Sequence, residues 1–416
     1  RIDTVVLEHT FATGVVQLKM LDGTAAVVAS AAPTALTQNA TTWQIPLAYV
    51  MVDPAVSTIS VKDVADCRVF APTVAELARI KAHENPIING GMEVWQRGTS
   101  FAAAADATYT ADRWRYGKAG AVVHSVLQTA DVPAVAANVQ KDNYCLHLDV
   151  TTADASIAAG DVSFIEQRVE GSRAKRVLQR GFTLAFWVKD TIPGWHAVSI
   201  INSGGDRSCV MEYFVSAADT WELKFVHVPA SPTAGTWDYT TGIGLRVVFT
   251  QAAGTTFHAT TPGAWETGLF YGTARTVNSN SSTSNNFKLW GVGPLMPGML
   301  VLPFSPQDDE LRLCQRYFTK TFPIATTPAQ NTGSNLGALY GLVTTTGAGG
   351  AYHMAWQFPV RMRGAPTITT YSPSAASANQ ELTSAASSSP ARRTPSLRCS
   401  APRRSPSSRF PRTSTR

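Results

Sequence analysis

Hydrophobic residues that alternate with polar ones in short runs, each cut by glycine or proline, constrain this chain more than anything else in it. Over residues 144–150, Tyr144, Leu146, Leu148 and Val150 fall on one side of an extended chain, and Cys145, His147 and Asp149 on the other. Trp221, Leu223 and Phe225 likewise stand opposite Glu222 and Lys224, and Leu245, Val247 and Phe249 repeat the pattern. A period of two marks a strand with one buried face. Residues 183–189 (TLAFWVK) are apolar almost throughout, as in a strand covered on both sides. Glycines (30) and prolines (24) end such runs, and long stretches of helical period are nearly absent. The chain is therefore predicted to be mostly β. The spacing over residues 86–305 suits one large antiparallel jelly-roll sandwich of two sheets.

The remainder divides around that block. Residues 1–71 form a small N-terminal β module in this reading, with strand-like runs at 4–7, 15–20, 45–52 and 58–61. Asp22-Gly23 would close a hairpin onto 25–28, because both residues tolerate positive φ. Residues 72–85 are expected to be a short linker helix. Val74, Leu77, Ala78 and Ile80 share a face, Pro72 suits the first turn and Pro86 stops the element. Residues 306–377 are expected to hold a short helix and then a small C-terminal β region. Asp308, Asp309 and Glu310 sit where a helix dipole favours acids, and Tyr352, Met354, Trp356, Phe358 and Val360 alternate as in a half-buried strand. Residues 378–416 change abruptly to Ser, Pro, Arg, Ala and Thr, too poor in apolar groups to offset their ordering entropy. This low-complexity tail is either a basic arm or the product of a frame change in a GC-rich gene.

The net charge of +6 originates in that tail. Residues 384–416 hold eight arginines and no acid, so subtracting those charges leaves the body at −2. The body has no basic stripe with interleaved aromatics, and no nucleic-acid partner is expected. The cysteines, Cys67, Cys145, Cys209, Cys314 and Cys399, are odd in number and far apart, which suits reduced thiols better than a disulfide framework. No signal peptide is visible and no apolar stretch is long enough to span a bilayer, so membrane insertion is not expected.

Catalytic motifs are missing. Gly242-Ile243-Gly244 lacks the third glycine of a dinucleotide loop, and no phosphate-binding loop or nucleophile elbow occurs. No cofactor is implied. His147 lies beside Asp149 on one strand face, the place of a hydrogen-bonded strand histidine, and no metal site is expected. A polysaccharide depolymerase needs two carboxylates roughly 5–10 Å apart. Glu166, Glu170, Asp206, Asp219 and Asp238 supply acids, but no spacing singles out a pair. The chain is expected not to be an enzyme. Binding is the better reading. Trp195, Trp237 and Trp265 lie in Gly/Pro-rich loops, and an aromatic plane stacks on the C–H face of a sugar ring while neighbouring polar groups take its hydroxyls. The candidate ligand-binding residues are Trp237, Asp238 and Tyr239, which offer both in one loop, and Trp195. Trp187 and Trp221 are expected in the core. Trp95, Arg113 and Trp114 are expected to serve packing and a buried ion pair. The sequons Asn39-Ala40-Thr41 and Asn280-Ser281-Ser282 are matches by chance in a chain so rich in Ser and Thr.

Five motifs in order carry a resemblance. They are Asn89-Gly90-Gly91-Met92 with Val94-Trp95-Gln96-Arg97-Gly98, then residues 109–114 (YTADRW), 164–170 (FIEQRVE), 182–188 (FTLAFWV) and 310–318 (ELRLCQRYF). Together they make residues 85–318 similar to a module that recurs in bacteriophage tail-fibre and virion proteins. That module usually has a Val-Gln-Leu-Glu-x-Gly segment before its last motif. Residues 293–298 (GPLMPG) lack the acid, so no role for it carries over. Residues 1–70 resemble an N-terminal module of phage tail or baseplate-attached proteins, through Arg1-Ile2-Asp3, Leu36-Thr37-Gln38, Ile45-Pro46-Leu47-Ala48 and residues 63–68 (DVADCR). Residues 362–367 (MRGAPT) resemble a phrase near the ends of such fibres. The resemblance implies a structural virion protein of the phage tail, a fibre whose sandwich is similar to carbohydrate-binding modules. Its partners would be other tail or baseplate proteins, through the N-terminal module, and host cell-surface polysaccharide. A homotrimer is expected, with the linker helix at its axis. The alternatives are a head, neck or baseplate decoration fibre without a receptor role, and a depolymerase spike.

Overall fold

In the computed structural model the described residues are 2–23, 36–39, 41–51, 64–66, 85–134, 143–295, 306–333, 336–338 and 356–373. The expected linker helix at 72–85, apart from Asn85, and the whole tail at 378–416 lie outside them. So does the partner of the expected Asp22-Gly23 hairpin; the Gly23 amide donates to Asp3 Oδ1 at 2.8 Å.

The first strands are β1 (Ile2–Thr10), β2 (Val15–Leu21), β3 (Thr42–Met51) and β4 (Val64–Asp66). They form one antiparallel sheet in the order β2-β1-β3-β4. The β1–β3 register slips between Val5 and Val6, where β3 carries Pro46. Proline has no N–H for the ladder, and a bulge is where a strand tolerates it.

The alternating runs become a two-sheet sandwich. In chain order its strands are β5 (Ser100–Phe101), β6 (Trp114–Ala119), β7 (Val123–Thr129), β8 (Cys145–Thr152) and β9 (Val162–Glu170). After helix α1 (Gly171–Arg180) come β10 (Phe182–Asp190), β11 (Gly194–Asn202), β12 (Arg207–Val215) and β13 (Glu222–Val228). The last are β14 (Ile243–Ala253), β15 (Trp265–Thr267) and β16 (Asn286–Leu295). Sheet I has the order β13-β10-β16-β8-β7-β5 and sheet II the order β15-β12-β11-β14-β9-β6, with every ladder antiparallel. Between them Trp114, Tyr116, Leu146, Leu148, Ile165, Phe186, Phe249 and Phe287 are all buried. Phe186 of sheet I meets Phe249 of sheet II edge to face at 5.0 Å. Burying one such ring is worth about 2–3 kcal/mol. A second apolar layer, Val162, Phe164, Ile201, Val248 and Tyr271, covers the outer side of sheet II.

Three expectations need correction, and one element is new. The new element is the helix at residues 171–180, within the block read as a sandwich. Ala174 and Leu178 sink into the core one turn apart with Val177 beside them, and Gly181 leaves the helix at φ 73°, a conformation that favours glycine. Trp187 and Trp221 are half-buried and outside the core. The β10–β13 register puts Leu184, Phe186 and Val188 opposite Val226, Lys224 and Glu222, so the inward side of β13 is the one with the charges. Lys224 pairs there with Glu222, and burial lowers its ammonium below the usual range. Among the described residues the buried tryptophans are Trp95, Trp114 and Trp290. Residues 356–360 do not extend as a strand. Trp356 packs edge to face on Phe358 at 5.0 Å, and Pro359 offers no N–H. Arg113 is in no ion pair among the described contacts; its neighbour Asp112 pairs with Arg97 instead, at 3.3 Å. The short helix expected at 306–318 is present as α2 (Gln307–Gln315), with Asp308, Asp309 and Glu310 in its first turn.

Candidate functional site

The loop from β13 to β14 carries Trp237, Asp238 and Tyr239, all half-buried. The rings of Trp237 and Tyr239 lie within 2° of parallel, with centroids 6.3 Å apart, and Trp265 meets Trp237 edge to face at 5.4 Å. Both indole N–H groups are satisfied inside the protein, Trp237 by Ala234 O at 3.1 Å and Trp265 by Pro229 O at 3.0 Å. These bonds hold the two indole rings in place. Asp238 is committed to its own turn. Its Oδ1 accepts the Thr240 amide at 2.6 Å and hydroxyl at 2.7 Å, and these bonds hold its carboxyl below the usual range. Asp206 anchors the loop's other end by accepting the Thr236 amide and hydroxyl. The amides of Gly171 and Ser172 donate to Gly242 O and Thr240 O, which ties the loop to α1.

The structure does not bring Trp195 into this loop. Trp195 opens β11, whereas Asn202, at the other end of that strand, donates to Thr236 O at 2.8 Å. The two tryptophans are therefore roughly 20 Å apart at the 3.3 Å rise of a strand. The Arg275 guanidinium lies 3.8 Å over the Trp195 ring, and Phe214 meets it edge to face.

Where the aromatic loop ends, at Gly242 and Ile243, a cleft of about 230 Å³ begins. Its other walls come from the motifs that carry the resemblance: Arg97, Tyr109, Asp112 and Arg113 on one side, Arg168 and Glu170 of β9 below, and Tyr317 and Phe318 after α2. Backbone devices set these side chains. Gly90 admits no side chain, because a Cβ there would lie 2.0 Å from Val292 O. The Asn89 side chain bonds Val94 O, Asp112 O and the Val94 amide, and Gln167 pairs with both polar backbone atoms of Ile88. Trp114 donates its indole N–H to Asn89 O at 2.9 Å. Segments far apart in sequence are thus clamped together before any charge is counted.

The charges themselves are uneven. The Arg97 guanidinium stacks on Phe318 at 3.7 Å and that of Arg113 on Tyr317 at 3.5 Å. Asp112 is held by Arg97 and Gln96, and burial still raises its carboxyl above the usual range. Glu170 takes Arg316 at 2.9 Å and the Tyr317 hydroxyl at 2.6 Å, and these bonds overcome burial to hold it low. Arg113 donates Nη2 to Arg168 O, while its buried Nε has no partner. Burial lowers the pKa of both Arg97 and Arg113. Beside the cleft Glu166, fully buried, accepts from Arg115 at 2.7 Å, Arg168 at 2.8 Å and Arg246 at 2.6 Å. Burial would raise the Glu166 carboxyl, but the Arg246 and Arg168 charges outweigh it.

Among the described residues no group of three His, Cys, Asp or Glu side chains could hold a metal ion. Cys145, Cys209 and Cys314 are free and buried, and burial pushes the first two thiols up to about 12. No helix among the described residues is long and apolar enough to cross a membrane.

No protein-family model matches the chain. No curated protein matches it either. Among solved structures it is similar to the enzymatically active domain of tailspike protein 4 of bacteriophage CBA120, at 13% identity and a TM-score of 0.26. That likeness covers 47% of this chain, which spans only 21% of the tailspike chain. A family 11 carbohydrate-binding module from Clostridium thermocellum, in complex with a mixed-linked β-1,3-1,4 tetrasaccharide, is 8% identical with a TM-score of 0.25, over 48% of this chain and 96% of that one. A family 22 module from Clostridium thermocellum Xyn10B is 9% identical with a TM-score of 0.25, over 49% and 98%. Scores this low carry no argument about function.

Proposed function

We propose that this chain is a non-catalytic structural protein of the phage tail, a tail fibre whose sandwich binds host cell-surface polysaccharide. The observation that carries the reading is the pair of parallel, half-buried rings of Trp237 and Tyr239, the first held by its indole N–H donating to Ala234 O. Rings held this way lose little freedom when a sugar stacks on them. The five-motif resemblance to virion modules supports the virion setting.

The N-terminal sheet supports an attachment role for residues 1–71, with tail or baseplate proteins as partners. Its edge strand β2 leaves Val15, Val16, Leu18 and Met20 about half exposed or more, the last three at 57%, 70% and 52%. An apolar sheet edge left open to water is a docking surface or a liability. A homotrimer would add avidity to weak single-site sugar binding.

A depolymerase reading is weaker. Glu166 and Glu170 of β9 are each locked in ion pairs.

Adsorption of the full chain to host cells or to their extracted polysaccharide tests the proposal. Trp237→Ala should weaken it by on the order of 1–2 kcal/mol per site, with the fold intact by near-ultraviolet circular dichroism. Unchanged adsorption would remove the loop, and release of reducing sugar would replace a binder by an enzyme.

A further inference from the structure

The cleft beside the aromatic loop has more positive charge than its own acids neutralise. Arg97, Arg113, Arg168 and Arg363 line it against Asp112 and Glu170. Both acids are already taken, Asp112 by Arg97 and Glu170 by Arg316. Arg168 is spent on Glu166, and Arg363 gives Nη1 only to a backbone oxygen, that of Thr241. Arg113 is the anomaly. It is 8% exposed, it faces no carboxylate among the described residues, and its Nε donor lacks a partner. A buried guanidinium left this way costs stability unless something compensates it. Its backbone also sits at φ 75°, a left-handed conformation that a long side chain rarely adopts. Strain and an uncompensated charge at the same residue point to a ligand rather than to packing.

The geometry of the arginines says what kind. The Arg97 and Arg113 guanidinium centres lie 3.7 Å and 3.5 Å over the Phe318 and Tyr317 rings; Arg97 gives Nη1 to Asp112 and Arg113 gives Nη2 to Arg168 O, which leaves their remaining N–H groups for an acceptor. A guanidinium edge matches the oxygens of a carboxylate or phosphate. The volume of about 230 Å³ exceeds what one small anion needs and suits a single sugar ring. The position adds the last piece. Thr240 and Thr241 alone separate Tyr239 from Gly242 on the cleft wall, so the aromatic pair and the cleft lie within roughly 10 Å along the chain.

We infer that the cleft is an oxyanion subsite for an acidic monosaccharide unit, a uronate or a sugar phosphate, within the same glycan chain that stacks on Trp237 and Tyr239. The anion part stands on the arginines; the sugar part rests on the glycan reading above. The polysaccharide bound would then be an acidic one, and its binding would fall with salt.

The test uses the full chain with glucuronate, a hexose phosphate, glucose and inorganic phosphate, followed by ligand-observed NMR. One of the two sugar acids should bind and glucose should not, which also tells carboxylate from phosphate. Arg113→Met should weaken that binding by on the order of tenfold or more, the loss of a charged hydrogen bond. Arg363→Ala, at an exposed position that does not threaten the fold, should weaken it in the same direction. Glucose binding equal to that of the sugar acids, a preference for inorganic phosphate over both, or no effect of either arginine variant would overturn the inference. Polysaccharide retained through Trp237 while no sugar acid binds sinks the cleft and spares the glycan reading. Sugar-acid binding without retention of any polysaccharide upholds the cleft and sinks that reading.

Discussion

The aromatic loop and the arginine cleft share a rim, yet they are assembled in opposite ways. The loop is one contiguous stretch. Its ligand-facing polar groups are satisfied locally, Asp238 by Thr240 and Trp237 by Ala234, while Asp206 and α1 hold its ends and its rings pack on the core. The cleft draws on separate stretches of chain between Arg97 and Arg363, and its charges are balanced only in part and only through tertiary contacts. A contiguous site can be lost by one substitution without disturbing the fold. A dispersed one is part of the fold, and damage to it should be read first as instability. The two regions should therefore separate in stability measurements before any ligand is added.

Glu166 gives the largest expected separation. Its carboxylate is fully buried under Arg115, Arg168 and Arg246, and Arg168 also presents its backbone oxygen to Arg113. Glu166→Gln leaves three guanidiniums around a neutral amide. Removing one partner of a buried ion network costs about 3–5 kcal/mol. Denaturant unfolding should show that loss, while Trp237→Ala in the loop should cost far less than a buried core tryptophan would. Equal costs would mean the loop is as integral to the fold as the cleft.

The next separation is by pH. His124 is buried against the Tyr116 hydroxyl at 2.8 Å, and burial lowers its pKa to about 4 from an ordinary 6.5. As pH falls from 6.5 to 4 the unfolded chain binds a proton that the folded chain refuses, so stability falls across that window. A shift of this size corresponds to about 3 kcal/mol. His147 is lowered too, also chiefly by burial, and acts in the same direction. Glu166 and Glu170 have lowered pKa values, so their contribution is present above their ordinary 4.5 and is lost only below it. Acid should thus weaken the sandwich core before it reaches those two glutamates. The difference between the native chain and His124→Gln isolates the histidine: the variant's stability should change less between pH 6.5 and 4. Parallel profiles would assign the early loss elsewhere.

The same contrast explains what could be read in the sequence. Strands were legible wherever one face was apolar and the other polar, as in β8, because the pleat maps directly onto a period of two. The inward side was not legible where both faces carried large side chains. In β13 the choice between Trp221-Leu223-Phe225 and Glu222-Lys224 is made by register with β10, which is a tertiary fact. Helix α1 has an apolar stripe of only Ala174, Val177 and Leu178, too short to stand out within a strand-rich block. Trp237, Asp238 and Tyr239 could be named from adjacency alone. Arg97, Arg168 and Arg363 could not, since nothing in their spacing says that they meet. Arg97, Arg113, Arg168 and Tyr317 do all lie within the motifs of the resemblance, and that was the available signal. It marked residues without saying that they line one cavity.

Trp195 offers the smallest and most discriminating comparison, because sequence alone treats it and Trp237 as equivalents. Both are tryptophans in Gly/Pro-rich surroundings, and both are half-buried. They differ in what lies on the ring. Trp237 is parallel to a second aromatic, whereas Trp195 is covered by Arg275, which also reaches Glu212 at 3.5 Å. A sugar could stack on that face of Trp195 only by displacing the guanidinium, and a cation–π contact at a partly exposed site is worth about 0.5–1 kcal/mol. Arg275→Ala removes the cover and leaves the ring. The unfolding free energy should fall by about that amount, plus up to about 1 kcal/mol for the lost Glu212 pair, and polysaccharide binding should stay the same, since the ring lies far from the loop and cleft. A gain in binding on uncovering it would instead make Trp195 a second sugar platform, held shut by Arg275 in the native chain.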